Sequence, residues 1–104
     1  MSDEDVRLSQ PALRVLRFLL ANQRGENSGA VITKATGVGS GTLYPLLSRL
    51  EKAGWLEGKW EAIDPSEAGR PRQRFYELTG LGFRSAQRAL AELQIPQGDL
   101  AWVS

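Results

Sequence analysis

Apolar residues between positions 40 and 55 recur at helical spacing. Leu43, Leu46, Leu47 and Leu50 fall on one stripe of a helical wheel. The other side carries small, hydroxylated and basic residues, which are Gly41, Tyr44, Pro45, Ser48, Arg49 and Lys52. This pattern predicts a helix beginning near residue 40 that buries one face and exposes another suited to close approach to a DNA duplex.

A shorter helix and a glycine turn are predicted just before it. This helix spans roughly Gly29 to Thr36, and Gly37 can adopt the left-handed conformation that ends a helix. An apolar residue in the first helix, a glycine in the turn and an apolar residue after it are what two steeply crossing helices need. Ile32, Gly37 and Val38 supply them, so a helix-turn-helix is predicted.

Pro45 leaves two starting points for the second of these helices. If Thr42 is the N-cap, the proline falls in the first turn, where its missing N–H donor is harmless. If the helix begins at Ser40, the proline removes one internal hydrogen bond and kinks the helix. Both alternatives mark a helix start.

The first helix is predicted from a cap at Ser9 to about Asn22. Its main apolar face comprises Leu13, Leu16 and Leu20. Val15 and Phe18 lie off that face. We therefore expect this helix to lie between its own core and a second subunit.

The last helix is predicted to begin after a cap at Thr79 and to end at Pro96. Its narrow apolar stripe consists of Phe83, Ala86, Leu90 and Leu93. Such a stripe suits packing against a helix of a partner subunit, and packing on the chain's own core is the alternative. The tail beyond Pro96 carries Trp102, which is also expected to seek burial against a partner.

A hairpin is predicted between these helices, with strands from Trp55 to Ile63 and from Gln73 to Leu78 around a turn-rich tip. Trp55 is expected in the core because it follows the leucine stripe directly, whereas Trp60 suits either the core or a partner. Three basic residues, Arg70, Arg72 and Arg74, alternate through the tip and second strand. They predict a local phosphate-binding patch, although a solvated charged turn would give the same pattern.

Composition excludes most enzymatic readings. The 104 residues fit a single small domain, and a core of that size is modest, so a dimer is a reasonable expectation. The chain has no cysteine and no histidine, which removes disulfides, thiolate or imidazole metal sites and the usual catalytic triads. The start is acidic, no apolar run approaches a membrane span, and the net charge is +1. We expect a cytoplasmic protein without a cofactor.

Four segments together resemble the PadR family of bacterial transcriptional regulators. They are GTLYPLLSRLEKAGW at 41–55, Trp60, GRPR at 69–72 and RFYELTGLG at 74–82, and the resemblance covers about residues 28 to 90. It implies a dimeric winged helix-turn-helix with the helix after GTLY reading DNA, the wing on the backbone and the C-terminal helix in the dimer. Some members bind aromatic or drug-like effectors at the dimer interface, so a small aromatic effector is a further partner to consider.

The predicted fold class is mainly α with a small β-hairpin, a winged helix-turn-helix plus a C-terminal dimerisation helix. Its divisions are a flexible acidic N-terminus (1–8), the DNA-binding domain (9–78), the dimerisation helix (79–95) and a tail (96–104). The predicted function is a sequence-specific DNA-binding regulator, a repressor that binds an inverted-repeat operator as a homodimer. The alternative is a winged-helix module for protein assembly with weak or no DNA binding.

Two sets of site residues follow from these predictions. The candidate DNA-binding residues are Lys34, Ser40, Gly41, Thr42, Tyr44, Pro45, Ser48, Arg49, Lys52, Arg70, Arg72 and Arg74. The candidate dimer residues are Val15, Phe18, Phe83, Ala86, Leu90, Leu93 and Trp102. No catalytic or metal-binding residue is predicted.

Overall fold

The computed structural model describes residues 8–24 and 26–103, with side chains up to residue 92. In chain order the elements are α1 (Gln10–Ala21), α2 (Gly29–Thr36), α3 (Ser40–Lys52), β1 (Leu56–Trp60), α4 (Pro65–Ala68), β2 (Arg74–Leu78) and α5 (Gly80–Val103). The strands β1 and β2 pair in an antiparallel hairpin that forms the wing. The predicted mainly helical, winged helix-turn-helix architecture is confirmed.

Helix ends fall where the sequence supplies caps. The Ser9 hydroxyl accepts a hydrogen bond from the Ala12 N–H at 3.4 Å, and the Ser28 hydroxyl accepts one from the Val31 N–H at 3.2 Å. Gly37 ends α2 with φ of 78°, a left-handed conformation that costs glycine little. Both helices therefore lie within a residue or two of their predicted bounds.

The start of α3 settles the alternatives for Pro45. Gly39 is the N-cap and the helix begins at Ser40, which places Pro45 inside it. The proline cannot donate to the Gly41 carbonyl, so one internal hydrogen bond is missing. Gly41 and Pro45 are both exposed, and water can reach the freed carbonyl.

The leucine stripe of α3 lies at the centre of the core, as predicted. Its four leucines are each at most 1% exposed, and Ile32 and Val38 from the helix-turn-helix pack in the same cluster. Trp55 is 3% exposed, which confirms that it is a core residue. Trp60 is 63% exposed and lies outside this core.

The inward face of α1 differs from the prediction. Its buried residues are Ala12, Val15, Leu16 and Leu19, whereas Leu13 and Leu20 are half-buried. Val15 is completely buried in the chain's own core, so its assignment to a dimer interface is corrected. The reason is that α1 packs against α2, α3, α5 and β2, which together enclose more of its circumference than a single face.

The inward face of α5 is built from small residues. Gly82, Ala86 and Ala89 are buried, while Phe83 and Leu90 flank them and are half-buried. Ala86 belongs to the core cluster, so its assignment to the dimer interface is also corrected. Small side chains let α5 approach the rest of the domain closely, and the spacing of large apolar residues does not indicate such packing.

Gly82 has no room for a side chain, because a Cβ at this position would overlap the backbone carbonyl oxygen of Trp55. The carbonyl is fixed by hydrogen bonds around the junction, including one from the Thr79 N–H at 2.9 Å. The first turn of α5 is capped by the Thr79 hydroxyl, which accepts from the Gly82 N–H at 3.0 Å. The start of α5 is therefore packed tightly against the turn that joins α3 to β1.

We expect Gly82→Ala to destabilise the domain by about 1 to 3 kcal/mol, because backbone must shift to accept the methyl group. Gly80→Ala is the matched control, since its Cβ would lie 3.4 Å from the mobile end of Arg84. That change should leave stability unchanged or raise it slightly, because alanine favours the helix. Thermal unfolding of both variants measures the difference, and equal melting temperatures would contradict this packing.

The C-terminal part of α5 continues beyond the expected end. The helix runs to Val103, so it does not stop at Pro96, and the segment after it is not a non-helical tail. A proline inside a helix removes one hydrogen bond and favours a kink without requiring the helix to end. The side chains of Leu93 and Trp102, both proposed for the dimer, lie outside the described residues.

The wing is shorter in its strands and more ordered at its tip than predicted. Pairing runs from Leu56 opposite Leu78 to Trp60 opposite Arg74. Beyond it the tip contains the short helix α4, capped by Asp64, whose carboxylate accepts from the Ser66 N–H at 2.9 Å. The Asp-Pro start and Gly69 end of this helix are local signals for it, although the sequence pattern predicts only a turn-rich tip.

Candidate nucleic-acid interface

The exposed face of α3 gathers most of the predicted DNA-binding residues. Opposite the buried leucines, the helix presents Ser40, Gly41, Thr42, Tyr44, Pro45, Ser48, Arg49 and Lys52, all of them exposed. Arg49 and Lys52 lie in its last turn. The face is thus polar and hydroxylated along its length and basic at its C-terminal end, which suits both base edges and phosphates.

Tyr44 is the large side chain of this face, and it is 48% exposed. Its ring lies directly against Gly29 at the start of α2, so closely that a Cβ on that glycine would overlap it. The ring therefore packs between α3 and the start of α2, while nearly half of the residue remains accessible.

A cleft of about 240 Å³ lies between the start of α2, Tyr44 of α3 and the wing. It is lined by Ser28, Gly29, Ala30, Tyr44, Arg72, Gln73, Arg74 and Tyr76. Tyr76 is buried, and that burial is the main cause that raises the pKa of its hydroxyl group. The cleft therefore lets one ligand touch both Tyr44 on α3 and the basic residues of the wing.

Arg70 is paired with a carboxylate that the sequence pattern does not indicate. Its two terminal nitrogens each donate to one oxygen of Glu61 at 2.8 Å, a bidentate pair. The Arg70 hydrogen bonds, with the backbone N–H of Gln73 as a further donor, lower the pKa of Glu61 to about 2, and Glu61 raises the pKa of Arg70. Glu61 is thus ionised at neutral and mildly acidic pH, and it offsets the charge of Arg70.

Arg72 keeps its charge available. Its Nε donates to the Ile63 carbonyl oxygen at 3.0 Å, which orients the side chain at the exposed tip. Within residues 8–24 and 26–92, no carboxylate lies within ion-pair distance of it. Arg72 also borders the cleft beside α3, so it is the wing arginine best placed to meet an anion.

The Arg74 side chain packs against α3 and the first strand of the wing. One of its terminal nitrogens donates to a Glu51 carboxylate oxygen on α3 at 3.0 Å, and its guanidinium lies 5.1 Å from the centre of the Trp60 ring. Its side chain is only 30% exposed. The alternation of three arginines therefore does not give three equivalent cations, because Arg70 and Arg74 are both paired within the chain.

The remaining candidates are Lys34, proposed for DNA binding, and the residues proposed for the dimer interface. Lys34 is exposed in the last turn of α2, the first helix of the helix-turn-helix. Of the proposed dimer residues, Phe18, Phe83 and Leu90 are half-buried in the single chain. Phe18 packs partly on the core, which leaves part of its ring accessible.

Other kinds of site find no support in the part of the chain that the structure describes. Its His, Cys, Asp and Glu residues form no group of three or more that could hold a metal ion. None of its helices combines the length and apolar character that crossing a membrane requires.

Comparison with known proteins points to one family. Residues 23–88 match the transcriptional regulator PadR-like family, which is more than half of the chain. No curated protein sequence matches the chain significantly.

Solved structures share the fold. A PadR-like transcription factor from Bacteroides fragilis superimposes with a TM-score of 0.70 at 21% identity, covering 91% of this chain and 93% of that one. MepR from Staphylococcus aureus, a transcription regulator of the multidrug efflux pump MepA, gives a TM-score of 0.75 at 19% identity, covering 97% and 69%. Together with the family match and the exposed α3 face beside a wing, they lead to one conclusion: the chain belongs to the PadR-like family and is a DNA-binding transcriptional regulator, not an enzyme.

Proposed function

We propose that the protein is a repressor that binds an inverted-repeat operator as a homodimer. In this proposal α3 enters the major groove and the wing contacts the sugar-phosphate backbone beside it. The observation that carries the proposal is the exposed polar face of α3, whose Tyr44 shares a cleft with Arg72 of the wing. The groove-reading element and an available cation thus border one space.

The residues of α3 divide by the kind of contact that they can make. Thr42 and Ser48 carry short hydroxyl groups that can donate to or accept from base edges or phosphates. Arg49 and Lys52, near the C-terminal end, offer charges suited to the DNA backbone. Gly41 has open space around it, so the start of the helix can approach the duplex closely.

The cleft between α3 and the wing suits one phosphate of the DNA backbone. Tyr44 offers a hydroxyl donor from α3, and Arg72 offers charged N–H donors from the wing. A phosphate held there would fix the register of α3 along the groove, because phosphate contacts position a protein while base contacts specify the sequence.

A small aromatic effector is included in the proposal as a partner. MepR, one of the structural neighbours, has been solved bound to ethidium bromide, at 18% identity to this chain. That identity supports a shared fold. The effector therefore remains a hypothesis about this chain, separate from the proposal of DNA binding.

The competing function is a winged-helix module for protein assembly. A protein-binding module has no need for cations at the tip of its wing, and because Arg70 and Arg74 are paired, this argument against it rests on Arg72. The main argument for DNA binding is the exposed polar face of α3, since a protein-binding helix would be expected to present larger apolar residues. Salt-dependent binding to duplex DNA distinguishes the two functions.

Arg72→Ala should weaken binding to every duplex and flatten the slope of log K against log salt by about one unit, the value for one lost phosphate contact. Arg70→Ala is the matched control, because Glu61 already offsets its charge, and its slope should change by much less. Fluorescence anisotropy over a range of salt concentrations measures both. An unchanged slope for Arg72→Ala would remove the wing from the DNA interface.

A further inference from the structure

Arg74 makes contacts that join three parts of the DNA-binding domain. It begins β2, lies opposite Trp60 at the end of β1, and reaches Glu51 near the end of α3. Its guanidinium lies between the Glu51 carboxylate, at 3.0 Å, and the face of the Trp60 ring, at 5.1 Å. We call the set of Glu51, Arg74 and Trp60 the wing brace.

Gly58 makes room for this arrangement. It lies two residues before Trp60 on the same face of β1, and a Cβ there would come within 2.6 Å of the Arg74 Nε. Any larger residue would therefore displace the guanidinium. The glycine lets the arginine lie flat across the strand and reach α3.

The brace is partly shielded from solvent. The Arg74 and Glu51 side chains are 30% and 28% exposed, whereas those of the Lys59–Glu77 pair on the same hairpin are 61% and 44% exposed. Partly buried pairs are screened less by salt than surface pairs. An arginine that stacks on an aromatic ring as well as pairing with a carboxylate is also restricted in its orientation.

We propose that Arg74 is a positioning residue that fixes the wing relative to the reading helix α3, and that it does so through Glu51 and Trp60 rather than by touching DNA. The inference rests on the proposed DNA-binding function. A protein that reads DNA with two elements needs them at a set separation, because a shift of either one misaligns its hydrogen bonds with the duplex. Glu51 then supports sequence-specific binding although its negative charge opposes DNA.

This last point gives the test. Glu51→Gln, Arg74→Gln and the double variant are compared with wild type on two duplexes, one selected by the wild-type protein from a random pool and one scrambled. Glu77→Gln is the matched control, because it also removes one negative charge from an ion pair, but that pair stays within the hairpin. Binding is measured over a range of salt concentrations, and thermal unfolding is followed without DNA.

We expect Glu51→Gln and Arg74→Gln each to weaken binding to the selected duplex by about tenfold, and the double variant to be no weaker than either single variant, as for residues acting through one contact. Binding of Arg74→Gln to scrambled DNA and its salt slope should match wild type. Glu77→Gln should keep full affinity. A role in fold stability alone would instead lower the melting temperature and weaken both duplexes equally.

Other results would also overturn the proposal. A salt slope for Arg74→Gln that falls by about one unit would make Arg74 a phosphate contact. Tighter binding by Glu51→Gln would show that its charge is only repulsive. If the wild type selects no duplex, the proposed function fails, and the wing brace is then tested by thermal unfolding alone. Non-additive stability changes for the Glu51 and Arg74 variants would support the brace, and additive changes would overturn it.

Discussion

Leu47→Ala is expected to lower the free energy of unfolding by about 2 to 5 kcal/mol, as for other truncations of buried leucines. Leu47 is 1% exposed and lies in the core cluster with the rest of the α3 stripe. The surrounding core cannot fully close over the lost volume because α1, α2 and β1 all pack around α3. Chemical denaturation followed by circular dichroism measures this change.

Tyr44→Ala, on the opposite side of the same helix, should have the reverse profile. It should weaken DNA binding while changing stability much less than Leu47→Ala, because the tyrosine is nearly half exposed and lies outside the core cluster. Ser48→Ala removes only an exposed hydroxyl group, so it should reduce the affinity for DNA and leave the free energy of unfolding unchanged. If Tyr44→Ala unfolds the domain as Leu47→Ala does, the tyrosine is a packing residue and the reading face has been assigned wrongly.

Helices whose buried faces and ends are determined by nearby residues could be predicted from the sequence. The α3 stripe has one buried face, so helical periodicity alone identifies Leu43, Leu46, Leu47 and Leu50. The bounds of α2 follow from a serine cap and a left-handed Gly37, both of which act within a few residues. These signals need no knowledge of the rest of the fold.

The faces of α1 and α5 could not be read in this way. Several elements enclose α1, so Val15 is buried although it lies outside the main periodic stripe. The packing of α5 depends on Gly82 and Ala86, whose value is their small size against a particular neighbour, the backbone of Trp55. Such complementarity depends on which elements meet, and periodicity carries no information about it.

The ion pairs of the wing could not be predicted from the sequence either. Arg70, Arg72 and Arg74 alternate along the chain, yet their partners lie on other elements: Glu61 follows β1, and Glu51 lies on α3. Long-range pairing thus places three similar residues in three different environments. Only a three-dimensional arrangement separates the arginine available to DNA from the two that are paired.

The surface of α5 leads to the last prediction, which concerns assembly. With Val15 and Ala86 assigned to the core, the proposed dimer surface among the described side chains consists of Phe18, Phe83 and Leu90, which are half-buried. Phe83 and Leu90 lie beside the small inward face of α5 and outside the core cluster. A two-fold pairing that covers them would bury the same patch on both subunits.

Leu90→Asp should therefore give a folded monomer whose affinity for the operator falls by about a hundredfold or more, since both half-sites can no longer be held by one particle. Ala91→Asp is the matched control, because it adds the same charge to an exposed position on another side of α5. Sedimentation at micromolar concentration reports the oligomeric state, circular dichroism reports the fold, and anisotropy reports DNA binding. The control should remain dimeric and keep its affinity.

The symmetry of such a dimer determines the form of the operator. Two copies of α3 related by a two-fold axis should enter successive major grooves about 34 Å apart, so the two half-sites should form an inverted repeat one helical turn apart. A protection footprint on DNA flanking the protein's own gene should show this repeat, and inserting half a turn between half-sites should abolish tight binding. A wild-type protein that sediments as a folded monomer and binds a single asymmetric site with full affinity would contradict both the dimer and the inverted repeat.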